Sequence, residues 1–398
     1  MTCEVAVMNK FGVALAADSA LTLGGGEKIY HHAKKLFELK PAIPVGIMVY
    51  GSAEIMGMPW EIVIRQYALR LGEKRFDRLE QYADDFFRFT ESVGSLFPES
   101  TQRESFRDSV SHYWENQIIQ PFTCELKRLG RSSPRKKNSA LAHILTNENS
   151  AWERHPRLHH LDDSHGERIL AEYGPVLEKL EGQLFDHVAL TPELRHKLRS
   201  TVKHMYTREW CAANTESGIV FVGMGETEPF PAILQYNIGP MAAGILHFSL
   251  GNSASISREE SAIVVPFAQT DMIDMFYRGI DEDLEGKLEG IVAQTIALEL
   301  GKTPKKLTQI QVERVKKRFS KALNEEIDKK YEAPLIASVE ALPRHDLAKM
   351  AEALINLTAL RRRMSVNQRE TVGGQVDVAI LAKGEGFIWV KSGSASNR

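Results

Sequence analysis

Two neighbouring segments at the start of the chain decide the fold: Met1-Thr2-Cys3-Glu4-Val5-Ala6-Val7-Met8 and Gly12-Val13-Ala14-Leu15-Ala16-Ala17-Asp18-Ser19. In the first segment Val5 and Val7 alternate with Glu4 and Ala6, and a polar turn leads into the second segment, which is apolar up to its last two residues. This pattern predicts a β-hairpin. An almost unbroken apolar strand is expected where both faces of a sheet are covered. The sequence therefore predicts a layered fold.

Length and composition are those of an ordinary globular protein. The chain has 398 residues, of which 43% are hydrophobic, so it can bury a large core. Its 50 Lys and Arg residues nearly balance 52 Asp and Glu residues, and the formal net charge is -2. Such a chain has no global field that would attract nucleic acid or an acidic membrane. The basic stretch at residues 127–137 contains Ser132, Ser133 and Pro134 and is interpreted as an exposed loop.

Metal-binding and disulfide patterns are weak. The cysteines lack a CxxC spacing, so neither a disulfide framework nor a thiolate metal site is predicted. Four histidines lie close together in the chain, but their spacing matches no standard zinc pattern. We therefore expect no metal. The residues concerned are Cys3, Cys124, Cys211, His155, His159, His160 and His165.

The sequence favours a cytoplasmic location. The chain has no basic start followed by an apolar run, and no stretch reaches about 18 consecutive apolar residues. We expect neither export nor a membrane-spanning segment.

Strand patterns and helix patterns alternate along the chain. Four short strands are predicted within the first fifty residues, and a helical pattern follows Ser52, where Pro59 leaves open whether the helix starts near Met58 or is kinked. Residues 71–210 are charge-rich and predict a mostly helical insertion. Strands return at residues 218–223, 232–238, 244–248 and 262–266, helices follow, and residues 376–381 and 387–390 predict a closing hairpin.

This order predicts an α+β fold. A four-layer αββα sandwich accommodates both the order of the elements and the doubly buried strands. We expect one core, made of residues 2–70 and 211–398, interrupted by the helical insertion at residues 71–210. Additional helices are expected at residues 282–345, within the second half of the core.

The chemistry of the start centres on Thr2. Methionine aminopeptidase removes Met1 when a small residue follows, so the mature chain is expected to begin at Thr2. A free α-amine has a reference pKa of about 7.7 to 8.0, so near neutral pH it can accept the proton of the hydroxyl on its own residue. Thr2 would then supply both the nucleophile and the base.

Such a nucleophile needs three supporting groups. A cation keeps the amine deprotonated and the hydroxyl acidic, and a carboxylate holds that cation in place. Lys35 and Asp18 are the candidates. The backbone N–H of Gly51, at a turn between a strand and a helix, is the candidate donor for the developing oxyanion.

Three sequence blocks resemble the start of proteasome beta subunits and of their bacterial ring-peptidase relatives, which are N-terminal-nucleophile (Ntn) hydrolases. The blocks are Gly12-Val13-Ala14-Leu15-Ala16-Ala17-Asp18-Ser19 with Thr22 and Gly24, then Lys34-Lys35-Leu36-Phe37-Glu38-Leu39, and Tyr50-Gly51-Ser52-Ala53. The resemblance implies the Ntn form of the αββα sandwich. It covers about 55 residues at the start, and weaker similarity follows residue 218.

Position by position, the resemblance implies that Thr2 is the nucleophile, Asp18 the carboxylate, Lys35 the catalytic lysine and Gly51 the oxyanion glycine. Counting from the glycine of the first block points instead to Lys34. The Leu-Phe-Glu-Leu pattern that follows favours Lys35.

The resemblance also implies supporting residues, with alternatives left open. Ser19 belongs to the first block. A late hydroxyl and carboxylate are expected near the N-terminal amine, for which Thr371 is one candidate and Gln269, Thr270 or Asp271 another. Leu21 and Ala53 are expected to line the substrate pocket.

The predicted function is a threonine-type amidohydrolase that cleaves peptides or proteins through an acyl ester on Thr2. This chemistry needs no metal and no organic cofactor. The resemblance implies self-assembly into a ring or a helical stack, with an ATPase or adaptor as a candidate partner. The alternative is a catalytically inactive scaffold or binding subunit that recruits a partner through its helical insertion.

Overall fold

The computed structural model describes residues 3–23, 28–30, 33–130, 133–186, 188–209, 217–299, 309–364 and 372–392. The strands in these ranges are β1 (Cys3–Asn9), β2 (Gly12–Asp18), β3 (Leu21–Leu23), β4 (Lys28–Tyr30), β5 (Leu36–Glu38), β6 (Val45–Gly51), β7 (Glu54–Ile55), β8 (Met58–Pro59), β9 (Ser217–Gly223), β10 (Ala232–Ala242), β11 (Ile245–Ser255), β12 (Ala262–Ala268), β13 (Val376–Ala382) and β14 (Gly386–Lys391).

Helices occupy most of the remaining described residues. They are α1 (Trp60–Leu71), α2 (Leu79–Ser92), α3 (Glu99–Trp114), α4 (Gln120–Leu129), α5 (Pro134–Glu153), α6 (His165–Glu172), α7 (Gly174–Leu184), α8 (Pro192–Met205), α9 (Asp271–Arg278), α10 (Glu282–Glu299), α11 (Gln309–Ile327), α12 (Ala333–Ala341) and α13 (Arg344–Met364). Single π-helical turns at Glu115–Ile119 and Asp328–Glu332 join α3 to α4 and α11 to α12.

The first sheet is built around the N-terminal hairpin. Its strand order is β12-β1-β2-β13-β14, and every neighbouring pair is antiparallel. In the hairpin Val5 lies opposite Ala16. The predicted N-terminal and closing hairpins are both confirmed. The N-terminal strand therefore lies inside the sheet, between β2 and β12.

The second sheet has the order β11-β10-β9-β6-β5 and is also antiparallel. One hydrophobic cluster joins the two sheets. It contains Val13 and Leu15 of β2 together with Met48 of β6 and Val220 of β9, all fully buried. Alternate residues of β2, Ala14 and Ala16, belong to a different cluster on the other face. Both faces of β2 are therefore covered, as its apolar sequence predicts.

Helices cover the outer face of each sheet. On the first sheet, Leu347 and Ile355 of α13 and Val339 of α12 pack in one cluster with Val5 and Val7 of β1. On the second sheet, α1 and α2 contribute to a cluster that also holds residues of β5, β6, β9, β10 and β11. The predicted mixture of helices and sheets is confirmed, and both five-stranded sheets are antiparallel. The more specific four-layer Ntn sandwich stays a prediction.

The region predicted as an insertion is helical where it is described. Helices α3 to α8 share a hydrophobic cluster that also includes Ala242 of β10, with Phe106, Trp114 and Tyr206 among its fully or almost fully buried members. Helix α2 differs, because Phe86 and Phe87 pack in the cluster of the second sheet. The domain boundaries at residues 71–210 and 282–345 stay predictions.

The start of the first helix, left open by the sequence, is at Trp60. Pro59 precedes the helix, where its missing N–H breaks no hydrogen bond within the helix. A two-residue ladder of β7 with β8 lies between Gly51 and this helix, and the N–H of Trp60 donates to the carbonyl of Ala53 at 3.0 Å. Gly51 therefore ends a strand, but no helix follows it directly.

Candidate functional site

A buried ion pair between the two sheets is the centre of the candidate site. Asp18 is the last residue of β2, and Lys35 directly precedes β5. The Nζ atom of Lys35 lies 2.5 Å from Oδ1 of Asp18, and the two residues are only 5% and 2% exposed. Charge-assisted hydrogen bonds of this kind are short and strong.

Backbone donors fix the carboxylate of Asp18 from several directions. The N–H of Cys3 donates to Oδ1 at 3.0 Å, and the N–H groups of Gly373 and Ala20 donate to Oδ2 at 3.0 and 3.3 Å. An ionised carboxylate only accepts hydrogen bonds, so these donors suit the charged form. Asp18 thus connects the start of β1, the end of β2 and the segment before β13.

A second carboxylate, Glu4, lies beside Lys35. Its Oε1 atom is 3.7 Å from Nζ of Lys35, and Glu4 is fully buried. Glu4 is the polar position of the strand pattern that the sequence predicts, whereas every residue of β1 is buried. The sequence signal that could have indicated this burial is the apolar second strand of the hairpin, because such a strand requires a sheet that is covered on both faces.

The structure separates the two candidate lysines. Lys34 is half-buried, with Nζ 5.6 Å from the ring centroid of Phe37 and 5.3 Å from that of Trp389. Lys35 points to the carboxylates. Consecutive residues of an extended chain point to opposite sides, so only one of the two can reach Asp18.

Gly51 lies near Lys35 along strand β6. The N–H of Val49 donates to the carbonyl of Lys35 at 2.9 Å, and Gly51 follows two residues later, an advance of about 7 Å along a strand. Gly51 is exposed and has φ 82°, a left-handed conformation that favours glycine. Of the predicted pocket residues, Ala53 is exposed and Leu21 lies in β3.

Burial and nearby charges shift the pKa values of the Cys3 thiol and the Tyr50 hydroxyl. Burial raises the pKa of the Cys3 thiol, and the charge of Glu4 raises it further. The thiol also contacts the carbonyl of Gln269, at 3.5 Å. A neutral, buried thiol is a poor nucleophile. Burial likewise raises the pKa of Tyr50, although its hydrogen bond with Gln235 opposes this shift.

The structure describes only some of the remaining predicted site residues. Thr2 and Thr371 lie outside the described residues. Ser19 is buried next to Asp18, and its carbonyl accepts from the N–H of Ala33 at 3.0 Å.

Asp271 begins α9, and its carboxylate pairs with Arg362 at 3.0 Å. The pair joins α9 to α13. Thr270 lies just before this helix.

The described part of the chain lacks the geometry of a metal site. Within it, no group of three or more His, Cys, Asp and Glu side chains could hold a metal ion. His165 and His247 do meet, with their Nε2 atoms 3.0 Å apart, in the core between α6 and β11. No helix in the described ranges is long and apolar enough to cross a membrane.

Comparison with known proteins gives only distant structural similarity. No protein-family model and no curated protein matches the sequence. Among solved structures, the chain is similar to a Gly-1 mutant of Anbu from Hyphomicrobium sp. strain MC1, with a TM-score of 0.32 and 10% identity over 98% of this chain and 86% of that one. Anbu from Yersinia bercovieri, described as an ancestral beta-subunit, gives a TM-score of 0.29 and 11% identity over 98% and 88% of the two chains.

These comparisons correct the family prediction. TM-scores of 0.32 and 0.29 are too low to support an argument about fold or activity. Membership of the proteasome beta-subunit group, predicted from three short sequence blocks, is wrong as a family assignment, because no family model and no curated protein matches the chain. The residues around Asp18 and Lys35 are therefore the basis for inferring a function.

Proposed function

We propose that this protein is an amidohydrolase whose nucleophile is Thr2 at a free N-terminus. One observation carries the proposal: Asp18, paired with Lys35 in the core, also accepts a hydrogen bond from the N–H of Cys3. Cys3 follows Thr2 in the chain, so the ion pair is linked through one residue to the group expected to react.

The reaction divides into acylation and deacylation. In acylation the Thr2 hydroxyl oxygen attacks the carbonyl carbon of the substrate amide, and the α-amine of Thr2 takes the hydroxyl proton. That proton then passes to the leaving amine as the C–N bond breaks, which leaves an ester on Thr2. Water, deprotonated by the same amine, hydrolyses the ester and regenerates the hydroxyl.

The neighbouring groups have separate roles in this proposal. The positive charge of Lys35 lowers the proton affinity of the Thr2 hydroxyl, and Asp18 holds Lys35 in place. The N–H of Gly51 stabilises the oxyanion of the tetrahedral intermediate. Leu21 and Ala53 belong to the proposed substrate pocket. The substrate class is a peptide or protein, and the chemistry calls for no metal or organic cofactor.

The test uses protein that begins at Thr2, released from a fusion that is cleaved directly before this residue. This protein is incubated with a peptide epoxyketone, which captures both the hydroxyl and the amine of an N-terminal threonine. We expect one adduct on Thr2 by peptide mass spectrometry and hydrolysis of a broad peptide library. Thr2→Ala should abolish both, whereas Thr2→Ser should retain the adduct.

Lys34→Met is the matched control, because it removes a neighbouring lysine outside the ion pair. It should react like the unchanged protein, whereas Lys35→Met should not react. Absence of both adduct and hydrolysis in the protein that begins at Thr2 would refute the enzymatic proposal. Intact-mass measurement of protein expressed with Met1 as its first residue would show whether Met1 is removed in cells.

Self-assembly into a ring or helical stack, with an ATPase or adaptor to deliver substrate, remains part of the proposal. Leu284, Ile291 and Leu298 support it: they are spaced seven residues apart on α10 and are 48%, 54% and 67% exposed. An apolar stripe with this spacing is typical of associating helices. Sedimentation velocity of the unchanged protein and of Ile291→Glu tests this point, since a monomer in both would contradict it.

The second candidate is a non-catalytic subunit that recruits a partner. The hydrophobic cluster of α3 to α8 favours it, because a helical unit whose core is made mostly of its own residues can present a surface away from the sheets. This candidate gains support if the protein that begins at Thr2 is folded but forms no adduct.

A further inference from the structure

Glu4 occupies a position where a carboxylate is unexpected. Ala6 and Met8 follow Glu4 at alternate positions of β1, and both pack between the two sheets. Side chains at alternate positions of a strand point to the same face of the sheet. Glu4 is fully buried there, and a buried carboxylate is costly unless charges or hydrogen bonds compensate it. A residue of this kind at this position calls for a functional explanation.

Glu4 and Asp18 share one ammonium group. Lys35 lies 2.5 Å from Asp18 and 3.7 Å from Glu4, so its Nζ atom is placed between two carboxylates. The carboxylate of Asp18 is already fixed by the backbone N–H groups of Cys3, Gly373 and Ala20. Glu4 adds a second negative charge beside the same ammonium group.

Chain connectivity keeps Glu4 close to the N-terminal amine. The nitrogen of Thr2 precedes that of Glu4 by two residues, so at most roughly 7 Å of extended chain separates them. The carboxylate of Glu4 extends from this backbone and lies on the order of 10 Å from the amine. A charge at that range, screened only partly by the protein, changes how tightly the amine holds its proton.

Resting on the proposed function, we propose that Glu4 is a positioning residue: it holds Lys35 between two carboxylates and raises the pH at which the Thr2 ammonium loses its proton. The sign follows from charge, because a negative group stabilises a nearby cation. Without Glu4 the amine becomes a free base at lower pH. Glu4 thus sets the pH at which the site becomes able to react.

The groups that act on Glu4 come from each neighbouring element. Cys3 is adjacent on β1, Asp18 ends β2, and Lys35 precedes β5. The charge of Glu4 also acts on Tyr50 of β6, where it raises the pKa of the hydroxyl in addition to the effect of burial. The neighbour of Glu4 on β12 is Phe267, which carries no charge.

The experiment titrates the α-amine itself, so it does not depend on catalysis. Full-length protein that begins at Thr2 is labelled with trace acetic anhydride across a pH series, and the acetylated N-terminal peptide is quantified by mass spectrometry. In Glu4→Gln we expect the titration to move down by about one pH unit, the effect of one charge at about 10 Å with an effective dielectric of about 20. If hydrolysis is measurable, the acid limb of its kcat/KM profile should move in the same direction.

Three variants complete the test. Glu4→Asp keeps the charge and should keep the titration near that of the unchanged protein, and Glu54→Gln, at an exposed position, should leave it in place. Glu4→Met removes the same charge with a side chain of similar length, and it serves if Glu4→Gln does not fold. An unshifted titration in a folded charge-removing variant would overturn the role of Glu4. Absence of an epoxyketone adduct would instead refute the proposed function, so the two failures are distinguishable.

Discussion

Replacing Lys35 with methionine tests the ion pair directly, because it removes the charge and keeps an unbranched side chain of similar length. The variant leaves Asp18 and Glu4 buried beside each other without the ammonium group that lies 2.5 and 3.7 Å from them. Removing one partner of a buried pair typically lowers the free energy of unfolding by about 3–5 kcal/mol. We expect the upper part of this range, since two carboxylates lose the same counter-charge.

Lys34→Met is the matched control for stability. The ammonium of Lys34 lies over the rings of Phe37 and Trp389, at 5.6 and 5.3 Å from their centroids. Cation–π contacts at partly exposed sites contribute about 0.5–1 kcal/mol, so the control should be several-fold milder. Urea unfolding followed by circular dichroism, with linear extrapolation to water, measures both variants.

A double variant separates the lost charge from lost packing. Asp18→Asn in the background of Lys35→Met removes one of the uncompensated carboxylates, so it should restore part of the lost stability. Non-additivity of this kind is expected for groups in direct contact. Equal losses for Lys34→Met and Lys35→Met, or strict additivity in the double variant, would refute the idea that this pair organises the site.

Two further predictions concern the sheets and the histidine pair. Gly223→Ala should lower the free energy of unfolding, measured in urea, by more than about 3 kcal/mol, because φ is +137° and an added Cβ would lie 1.9 Å from the carbonyl oxygen of Pro44. The control is Gly72→Ala, at φ +58° with open space around the added Cβ. It should lower the free energy of unfolding by only about 1 kcal/mol. Burial lowers the pKa of His165 from 6.5 to about 4 and that of His247 to about 3. The unfolded chain therefore binds more protons below about pH 6.5, so stability should fall as the pH drops towards 4, and His165→Gln should make this loss smaller in thermal unfolding at each pH.

The strands were predictable because their sequences reflect which faces are buried. In β2 the large residues Val13 and Leu15 fill the space between the sheets, and the small residues Ala14 and Ala16 allow close approach of the helix layer. A strand covered on both sides has no polar alternation, so its sequence carries the information about both layers. The sequence predicts β10 and β11 too short. The missed end of β10 contains Gly239 and Pro240, which interrupt strand patterns, and the missed end of β11, residues 249–255, is mostly polar.

The site was only partly predictable because local sequence does not specify which side chains meet across two sheets. Asp18 and Lys35 could be proposed from the chemistry that an N-terminal nucleophile needs. The choice between Lys34 and Lys35 depends on which side of the extended chain faces Asp18, and Glu4 becomes relevant only when the second sheet covers β1. Both features depend on contacts between segments that are far apart in the sequence.

The failed family assignment has a physical explanation in how little structure its sequence blocks specify. An apolar strand that ends in an aspartate, a lysine before the next strand, and a glycine of positive φ require only a hairpin, one covering sheet and one turn. This chain meets those requirements with Asp18, Lys35 and Gly51. Helices α3 to α8, with a separate hydrophobic cluster, are not specified by the blocks at all. Short motifs can therefore predict an ion pair and its chemistry, whereas ancestry needs similarity across the whole core, and the hydrogen bond from Cys3 to Asp18 supports the proposed chemistry without it.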